Sequence, residues 1–302
     1  MEAQPAGRAI GVRAPGEPML LGLAGDSASG KSTLSRGIEY VLGAGRVGRV
    51  CTDDYHRYDR DARATLGVTP LAPAANHMDR MSEDLRALSQ GRGVRKPTYS
   101  HATGTFGPDE TVEPHEVMIV EGLLPLSDPR ARGVIDVAVF LEPDEMLRRR
   151  WKLERDVFER GYAPQQVVDE IKRREADAAA YVRPQRAFAD IIVSVGGRPG
   201  PSEGSRFSTR LIVRPTLPYR GLRQLIGSLR GDVSPPIRWS TRTDDQGPMS
   251  VLDIDGDCPP ALGAEIEQVL WSSLHPDDRL VRDRIGVVRV PGQGEIRSEA
   301  LA

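Results

Sequence analysis

Gly25-Asp26-Ser27-Ala28-Ser29-Gly30-Lys31-Ser32-Thr33 fits the spacing G-x-x-x-x-G-K-[ST] of a phosphate-binding loop. The apolar run Met19-Leu20-Leu21-Gly22-Leu23 before it reads as a buried strand, and Thr33 to Leu42 after it is compatible with a helix. Strand, glycine loop, helix is the context the motif needs. Backbone N–H groups of the loop and the positive end of the helix then face a triphosphate. Lys31 is placed to reach the β and γ phosphates, and Ser32 to ligate Mg²⁺. The competing reading is a chance match in a chain with 31 glycines. The flanking strand and helix argue against it.

The 302 residues suffice for one large α/β domain or two modest ones. Hydrophobic residues at 39% and charged residues at 28% describe an ordinary protein with a sizeable core. The net charge of −2 offers no global field to recruit nucleic acid or an acidic membrane, so neither is expected as a partner. Basic residues cluster locally instead, as in Arg148-Arg149-Arg150. No apolar run approaches the roughly 18 residues of a membrane span. The N-terminus lacks the apolar region of a secretory signal, and residues 1 to 17 read as a flexible tail. Two cysteines far apart, Cys51 and Cys258, make no disulfide framework and no zinc pattern. They suit a reducing cytoplasm, the expected location.

Outward from the loop, Gly45 to Cys51 reads as a second strand, ending in Thr52-Asp53-Asp54-Tyr55-His56-Arg57-Tyr58-Asp59-Arg60. Polar residues at the carboxyl end of a parallel strand sit where such sheets bind ligands. Residues 61–76, with Pro70 and Pro73, read as a mobile loop. Met78, Met81, Leu85 and Leu88 recur at helical spacing, so His77 to Gln90 reads as a helix. Val94 to Glu113 reads as a hairpin. Val117-Met118-Ile119-Val120-Glu121-Gly122 reads as a strand whose terminal carboxylate can serve Mg²⁺, the alternative for Glu121 being a capping acid.

Asp136 to Leu141 is a further strand, and Glu142-Pro143-Asp144 opens a helix. At 100° per residue, Met146, Leu147, Trp151, Leu153, Val157 and Phe158 share an apolar arc, with Lys152, Arg155, Asp156 and Glu159 opposite. By itself that charged side reads as a solvated face. Arg150 and Glu154 fall inside the apolar arc as an i,i+4 ion pair. A helix begins near Pro164, Ala189 to Val195 is another strand, and Gly196-Gly197-Arg198-Pro199-Gly200-Pro201 reads as a linker. Beyond it lie strands at 208–213, 237–241 and 249–254, helices at 222–229 and 262–274, and a strand within 282–290. Asp253 and Asp255 read as outward-facing or turn residues. The expected fold is α/β of the P-loop NTPase type. It has a mostly parallel sheet, mixed at the edge, with helices on both faces, plus a smaller α+β C-terminal region. Residues 18–197 would form the first domain, and 205–302 would pack on or continue its sheet.

Phosphoryl transfer needs a polyphosphate cradle, a metal, an oriented nucleophile and positive charge at the transferred group. Residues 25–33 supply the first; Ser32 and Glu121 serve the second. Asp53 and Asp54 stand at the correct sheet edge to take a proton from a hydroxyl. Arg60, Lys152, Arg155 and Arg160 can hold an acceptor that is itself phosphorylated, since Arg pairs with phosphate oxygens bidentately. The residues alone reach a Mg-ATP kinase of a small hydroxyl acceptor.

Four stretches then carry a resemblance: Asp53 to Arg60, Lys96 to Gly104, Val120 to Leu126 and Trp151 to Gly161. In this order, over residues 19–195, they resemble the phosphoribulokinases. Ser250 to Gly256 is also similar to the C-terminal part of plant and cyanobacterial members. The resemblance implies ATP-dependent phosphorylation of ribulose 5-phosphate at its 1-hydroxyl. The product is ribulose 1,5-bisphosphate, the CO2 acceptor of the Calvin cycle. It implies Asp53 as base and Asp156 as a further active-site acid. His56, Arg60, Tyr99, His101, Arg155 and Arg160 would hold the sugar phosphate. Lys31 and Lys152 would stabilise the transferred phosphoryl group, and Glu121 would serve Mg²⁺. A homodimer is expected. The charged side of the 144–160 helix thereby becomes part of the site.

Two positions depart from the family. Plant-type members are switched off by a disulfide between a phosphate-loop cysteine and one just before Asp-Asp-Tyr-His. Cys51 matches the second, but Ser29 occupies the first, so no thioredoxin switch of that kind is expected. The family's histidine after Glu-Gly-Leu is Leu124 here. The alternatives are a kinase of another sugar phosphate or of a nucleoside, as in uridine kinases, and a non-catalytic ATP-binding regulator. The arginine set argues against a neutral acceptor, and the retained Lys31, Ser32 and acids against a regulator.

Overall fold

The computed structural model describes residues 17–198, 206–217, 236–274, 280, 283, 285–290 and 294–297. Of these, residues 17–141 and 148–189 fall in one compact unit, and residues 142–147 with the described residues from 190 onward in the other.

The first unit opens with β1 (Met19–Gly25), the glycine loop and α1 (Lys31–Leu42). It continues through β2 (Val47–Cys51), α2 (Arg60–Leu66), α3 (Met78–Ser89), the hairpin β3 (Val94–Ser100) and β4 (Thr105–Val112), and β5 (Val117–Gly122). Next come α4 (Pro129–Arg132), β6 (Val137–Leu141), most of α5 (Glu145–Phe158) and α6 (Pro164–Asp177). Its sheet runs β2-β5-β1-β6, every pair parallel, with Met19 opposite Val117 and Leu21 opposite Val137. Both central strands are buried almost throughout, which is why they read as continuous apolar runs. The apolar face of α3, Met81, Leu85 and Leu88, packs with Leu20, Val50, Met118 and Val120. Each such side chain contributes about 1.5–3 kcal/mol when fully buried. This core fixes the carboxyl ends of β1, β2 and β5 side by side.

The second unit holds β7 (Ile191–Arg198), β8 (Arg206–Val213), β9 (Ile237–Asp244), β10 (Gly247–Ile254), α7 (Pro260–Leu274) and the pair β11 (Val287–Val290) and β12 (Gly294–Arg297). Strands β7, β8, β10 and β9 pair antiparallel in that order. Asp253 is bound by Arg210, and Asp255 by Arg238. They serve as surface ion-pair partners, in keeping with their placement outside any site.

Three expectations need correction. Residues 61–76 are not an open loop. Asp59 caps α2 by accepting from the Ala62 N–H at 2.8 Å, and a second short helix spans Pro73–Ala75. Leu71 and Ala75 are buried, and Arg57 N–H donates to the Ala75 carbonyl. Gly196-Gly197-Arg198 is not linker but the end of β7, paired with Ser208, Phe207 and Arg206. Ladder hydrogen bonds override the weak strand preference of glycine there. The apolar arc of α5 is only partly buried: Leu147 is, but Met146 and Phe158 are 83% and 75% exposed. The expected helix at 222–229 lies outside the described residues.

Candidate active site

The glycine loop joins the end of β1 to α1. Gly25 has φ +149°, and a Cβ there would stand 2.5 Å from the Leu141 carbonyl oxygen, so no other residue fits. Ala28 is held at φ +65°, a conformation that is unfavourable for an L-residue and is met at functional turns. Gly30 caps α1 without a side-chain bond, and the first turn has no acid. Thr33 and Leu34 N–H already donate to the Gly30 carbonyl, so it is the N–H groups of Lys31 and Ser32 that an anion at this helix start would meet. Lys31 folds into the loop, donating to the carbonyls of Gly25 and Asp26 at 2.8 Å each. Burial pushes its ammonium down to about 8, with Asp53 and Asp26 opposing the fall. Ser32 and Thr33 lie exposed at the start of α1, and Ser29 is buried.

The loop is braced from distant sequence. Arg183 donates to the Asp26 carboxylate at 3.1 Å while holding Glu175. Arg148 donates to the Ser27 carbonyl and Arg155 to the Ser27 hydroxyl, both at 3.1 Å.

At the end of β2, a helical turn over Thr52–Tyr55 presents Asp53 and Asp54 with different environments. Asp54 is fully engaged: it accepts from buried Lys96 at 2.6 Å and from the Tyr99 N–H at 2.8 Å. It ties the turn to β3. Asp53 is tied differently, accepting from the Leu123 N–H. Its Oδ2 lies 3.6 Å from His101 Nε2. Burial pushes its carboxyl up, but His56, His101, Lys31 and the Leu123 N–H outweigh that and hold it below the ordinary value. Asp53 is therefore ionised at neutral pH. His56 is buried, bonded through Nδ1 to Asn76 Oδ1 at 2.6 Å. Burial pushes both His56 and His101 below the ordinary imidazole value, Asp53 opposing. Tyr99 stands edge-on to both rings, with centroids 4.9 and 5.3 Å away. Arg60 donates to the His101 carbonyl at 2.5 Å and stands 5.4 Å over the Tyr162 ring. Gly104, at φ +81°, leaves the space that the Arg60 side chain occupies: a Cβ there would approach it to 2.7 Å.

Helix α5 turns its charged side inward, contrary to the solvated face its pattern suggests alone. Lys152 and Asp156 are buried and joined at 2.6 Å, and Asp156 also binds Arg155 and Arg160 at 2.8 and 3.2 Å. Burial lowers the Lys152 ammonium against the pull of Asp156. For Asp156 burial acts upward, but Arg155 and Lys152 prevail and hold the carboxyl low. One carboxylate thus positions three cations. The Arg150–Glu154 pair forms at 2.8 Å, as its spacing suggests.

Glu121, at the end of β5, has a buried Oε2 with no hydrogen-bond partner among the described residues. It is close enough to raise the Lys31 value. An orphaned carboxylate oxygen beside a phosphate loop fits a divalent cation. No group of three or more His, Cys, Asp or Glu gathers for a metal among the described residues.

Leu124, where the family has histidine, is buried in an apolar cluster with Leu71, Leu123, Ala178 and Val182. Sequence reasoning missed Asn76, Lys96, Arg148 as a loop brace, and Arg183. Only tertiary contact shows their roles, since Arg183 meets Asp26 across 157 residues.

A phosphate loop between strand and helix, an acid closing the neighbouring strand, and acids with cations at the carboxyl edge of a parallel sheet define a P-loop α/β protein built for phosphate chemistry. Residues 20–199 match the model of the Phosphoribulokinase / Uridine kinase family, and the chain belongs to that family. It is 41% identical to a phosphoribulokinase of a Synechocystis species over 177 residues, 59% of this chain and 53% of that protein. It is 35% identical to a chloroplastic phosphoribulokinase of Mesembryanthemum crystallinum over 223 residues, 67% of this chain and 56% of that protein. The chain thus spans about half the length of these curated relatives. The solved phosphoribulokinase from Rhodobacter spheroides superposes with a TM-score of 0.56 at 18% identity, covering 86% of this chain and 96% of that one, a likeness of fold.

Proposed function

We propose that the protein transfers the γ-phosphoryl group of ATP to the 1-hydroxyl of ribulose 5-phosphate, giving ribulose 1,5-bisphosphate for Calvin-cycle CO2 fixation. The observation that carries this reading is the contrast between the two acids after β2. Asp54 is consumed by Lys96 and Tyr99, while Asp53 accepts from the Leu123 N–H, lies 3.6 Å from His101 and is coupled to Lys31. The names of the 41% and 35% identical relatives support the acceptor.

In this mechanism the loop N–H groups, with residues Gly25 to Thr33, hold the triphosphate, and Lys31 leaves its carbonyl partners for the phosphate oxygens. His56, Arg60, Tyr99, His101, Arg155 and Arg160 position the sugar phosphate. Asp53 accepts the proton of the 1-hydroxyl as its oxygen bonds to the γ-phosphorus, and the bond from that phosphorus to ADP breaks. Lys152, kept in place by Asp156, and Arg155, seated on Ser27, offset charge spreading over the transferred group. Ser32 and Glu121 would hold Mg²⁺, which when bound neutralises phosphate charge and orients the leaving group. The acceptor is a small-molecule sugar phosphate, the working assembly a homodimer, and the location the cytoplasm. No helix of the described residues is long and apolar enough to cross a membrane.

The test is product chemistry. Phosphorus NMR of the purified chain with MgATP and ribulose 5-phosphate should show ADP and a second monoester resonance on the sugar. ATP consumed without a new sugar phosphate would overturn the reading.

A further inference from the structure

Asn76, at the end of the short helix Pro73–Ala75, is 4% exposed, and His56 beside it is 3% exposed. Their backbones meet in an isolated antiparallel bridge. Every polar atom of Asn76 is assigned. Its N–H donates to the Pro73 carbonyl, and its own carbonyl accepts from Arg57 Nε at 2.9 Å. Its side-chain Nδ2 donates to the Pro70 and Ala72 carbonyls at 3.0 and 2.8 Å. Carbonyls only accept, so these two bonds fix which end of the amide is nitrogen. Oδ1 therefore faces His56 Nδ1 at 2.6 Å as an acceptor, and Nδ1 must carry the proton. The opposite ring nitrogen, Nε2, has no hydrogen-bond or ion-pair partner among the described residues. The Tyr99 ring, 4.9 Å away at 78°, holds the plane of the imidazole. Tyr99 stands in the same way against His101, whose Nε2 is 3.6 Å from Asp53, so the His56 ring belongs to the wall of the Asp53 pocket. Burial, with Arg63 and Arg174 adding to it, pushes His56 below the ordinary imidazole value against Asp53 and the Asn76 bond, so the ring is neutral at neutral pH.

We propose that Asn76 is a positioning residue of the acceptor pocket: it locks His56 in the Nδ1–H tautomer, so that Nε2 presents a lone pair and accepts a hydrogen bond from a hydroxyl of the acceptor other than the one Asp53 deprotonates. That part of the wall then selects for a donor. A hydroxyl suits it, whereas a ketone or phosphate oxygen, which only accepts, does not. The lock also protects the base. A proton on Nε2 would turn His56 into a donor beside an ionised carboxylate, and hydrogen bonding to a carboxylate lowers its basicity. Only an amide of this length serves both sides: a carboxylate at 76 would set an oxygen against two carbonyls, and an apolar side chain would leave Nδ1 unpaired. Naming the hydroxyl as one of ribulose 5-phosphate rests on the functional reading above; the tautomer does not. A merely structural Asn76 would brace residues 70–76 and leave the proton on His56 where it was when replaced.

The experiment is nitrogen-15 NMR of the histidine-labelled full chain at neutral pH, for the wild type, Asn76→Leu and Asn76→Asp, with the His56 signals assigned by their loss in His56→Gln. The wild-type ring should show a protonated, pyrrole-type Nδ1 and an unprotonated, pyridine-type Nε2. Ribulose 5-phosphate should move the Nε2 resonance toward the protonated range, the mark of an accepted hydrogen bond, while MgADP leaves it in place. Asn76→Leu removes the acceptor and should send the proton to Nε2. Asn76→Asp keeps an acceptor but adds a charge, and should protonate both nitrogens. Both variants should raise the KM for the sugar phosphate roughly threefold to tenfold, the worth of one neutral hydrogen bond, with the KM for MgATP kept within about twofold. The wild-type spectrum tests the lock even where a replacement perturbs folding. A wild-type His56 with its proton on Nε2, or ring signals unaltered by either replacement, would overturn the proposal. So would an Nε2 resonance that ribulose 5-phosphate leaves unmoved in a protein that turns it over. A locked ring in a protein that does not turn over ribulose 5-phosphate would support the lock and sink the acceptor.

Discussion

Raising the pH should disarm the phosphate loop before it disturbs the fold. Burial pushes the Lys31 ammonium from 10.5 down to about 8, a preference for the neutral amine of about 3 kcal/mol. The loop offers two carbonyls in partial compensation. A polyphosphate needs the charged form, so nucleotide affinity depends on the protonated fraction of the free protein. Affinity for MgADP should be level to about pH 7.5, then fall, approaching tenfold for each pH unit above about 8. Calorimetric titration of the full chain with MgADP from about pH 7 to about pH 9.5 measures this, with release of heat from proton uptake on the alkaline side. Asp53 raises the Lys31 value, so Asp53→Asn removes that support and should move the fall to lower pH. Lys31→Arg should weaken binding yet flatten its pH dependence, because arginine does not titrate in this range. A level affinity through about pH 9.5 in the wild type would refute the reasoning, as would a fall moved upward by Asp53→Asn.

The two acids after β2 should separate cleanly. Asp53→Asn should lower turnover by about two or more orders of magnitude with little change in either KM, the loss of a general base; near-normal turnover would contradict it. Asp54→Asn leaves buried Lys96 with Glu110 as its remaining acid, so it should cost about 3 kcal/mol, read as a lower Tm, and spare more of kcat than Asp53→Asn does. Arg60→Ala should raise the KM for the sugar phosphate in steady-state kinetics, and an effect confined to ATP would rule out its assignment. Burial, reinforced by Asp53 and Asp54, pushes the Cys51 thiol well above its ordinary value, so little thiolate exists at neutral pH. Mild oxidant should leave activity unchanged, and reversible loss through an intramolecular Cys51 bond would show otherwise.

The parts of the site legible in sequence are those made locally. The glycine loop, the acid ending β5 and the Asp-Asp-Tyr-His turn each lie at a strand end, where a few adjacent residues fix both geometry and chemistry. Helix α5 was half legible. Its 3.6-residue period correctly separated charged from apolar sides, but periodicity assumes that charge faces water. Here Asp156 gathers Lys152, Arg155 and Arg160 into one buried set, so the polar side turns toward the loop and Met146 and Phe158 are left outside. Residues 61–76 looked like a loop because their prolines and glycine outweigh a weak helical pattern. The Asp59 cap and the bridge from His56 to Asn76 give them structure that composition does not register. Arg63 and Arg183 carry no spacing signal at all, since Tyr99 and Asp26 come to them from other elements.

The central claim is that this pocket phosphorylates a phosphorylated ketopentose. Coupled ADP release with MgATP should be measured on the full chain with ribulose 5-phosphate, ribose 5-phosphate, unphosphorylated ribulose and uridine. The account predicts turnover with ribulose 5-phosphate, with kcat/KM for the unphosphorylated sugar and uridine lower by at least about a hundredfold, the worth of charged contacts to the phosphate. Turnover of uridine or ribose 5-phosphate with none of ribulose 5-phosphate would contradict it.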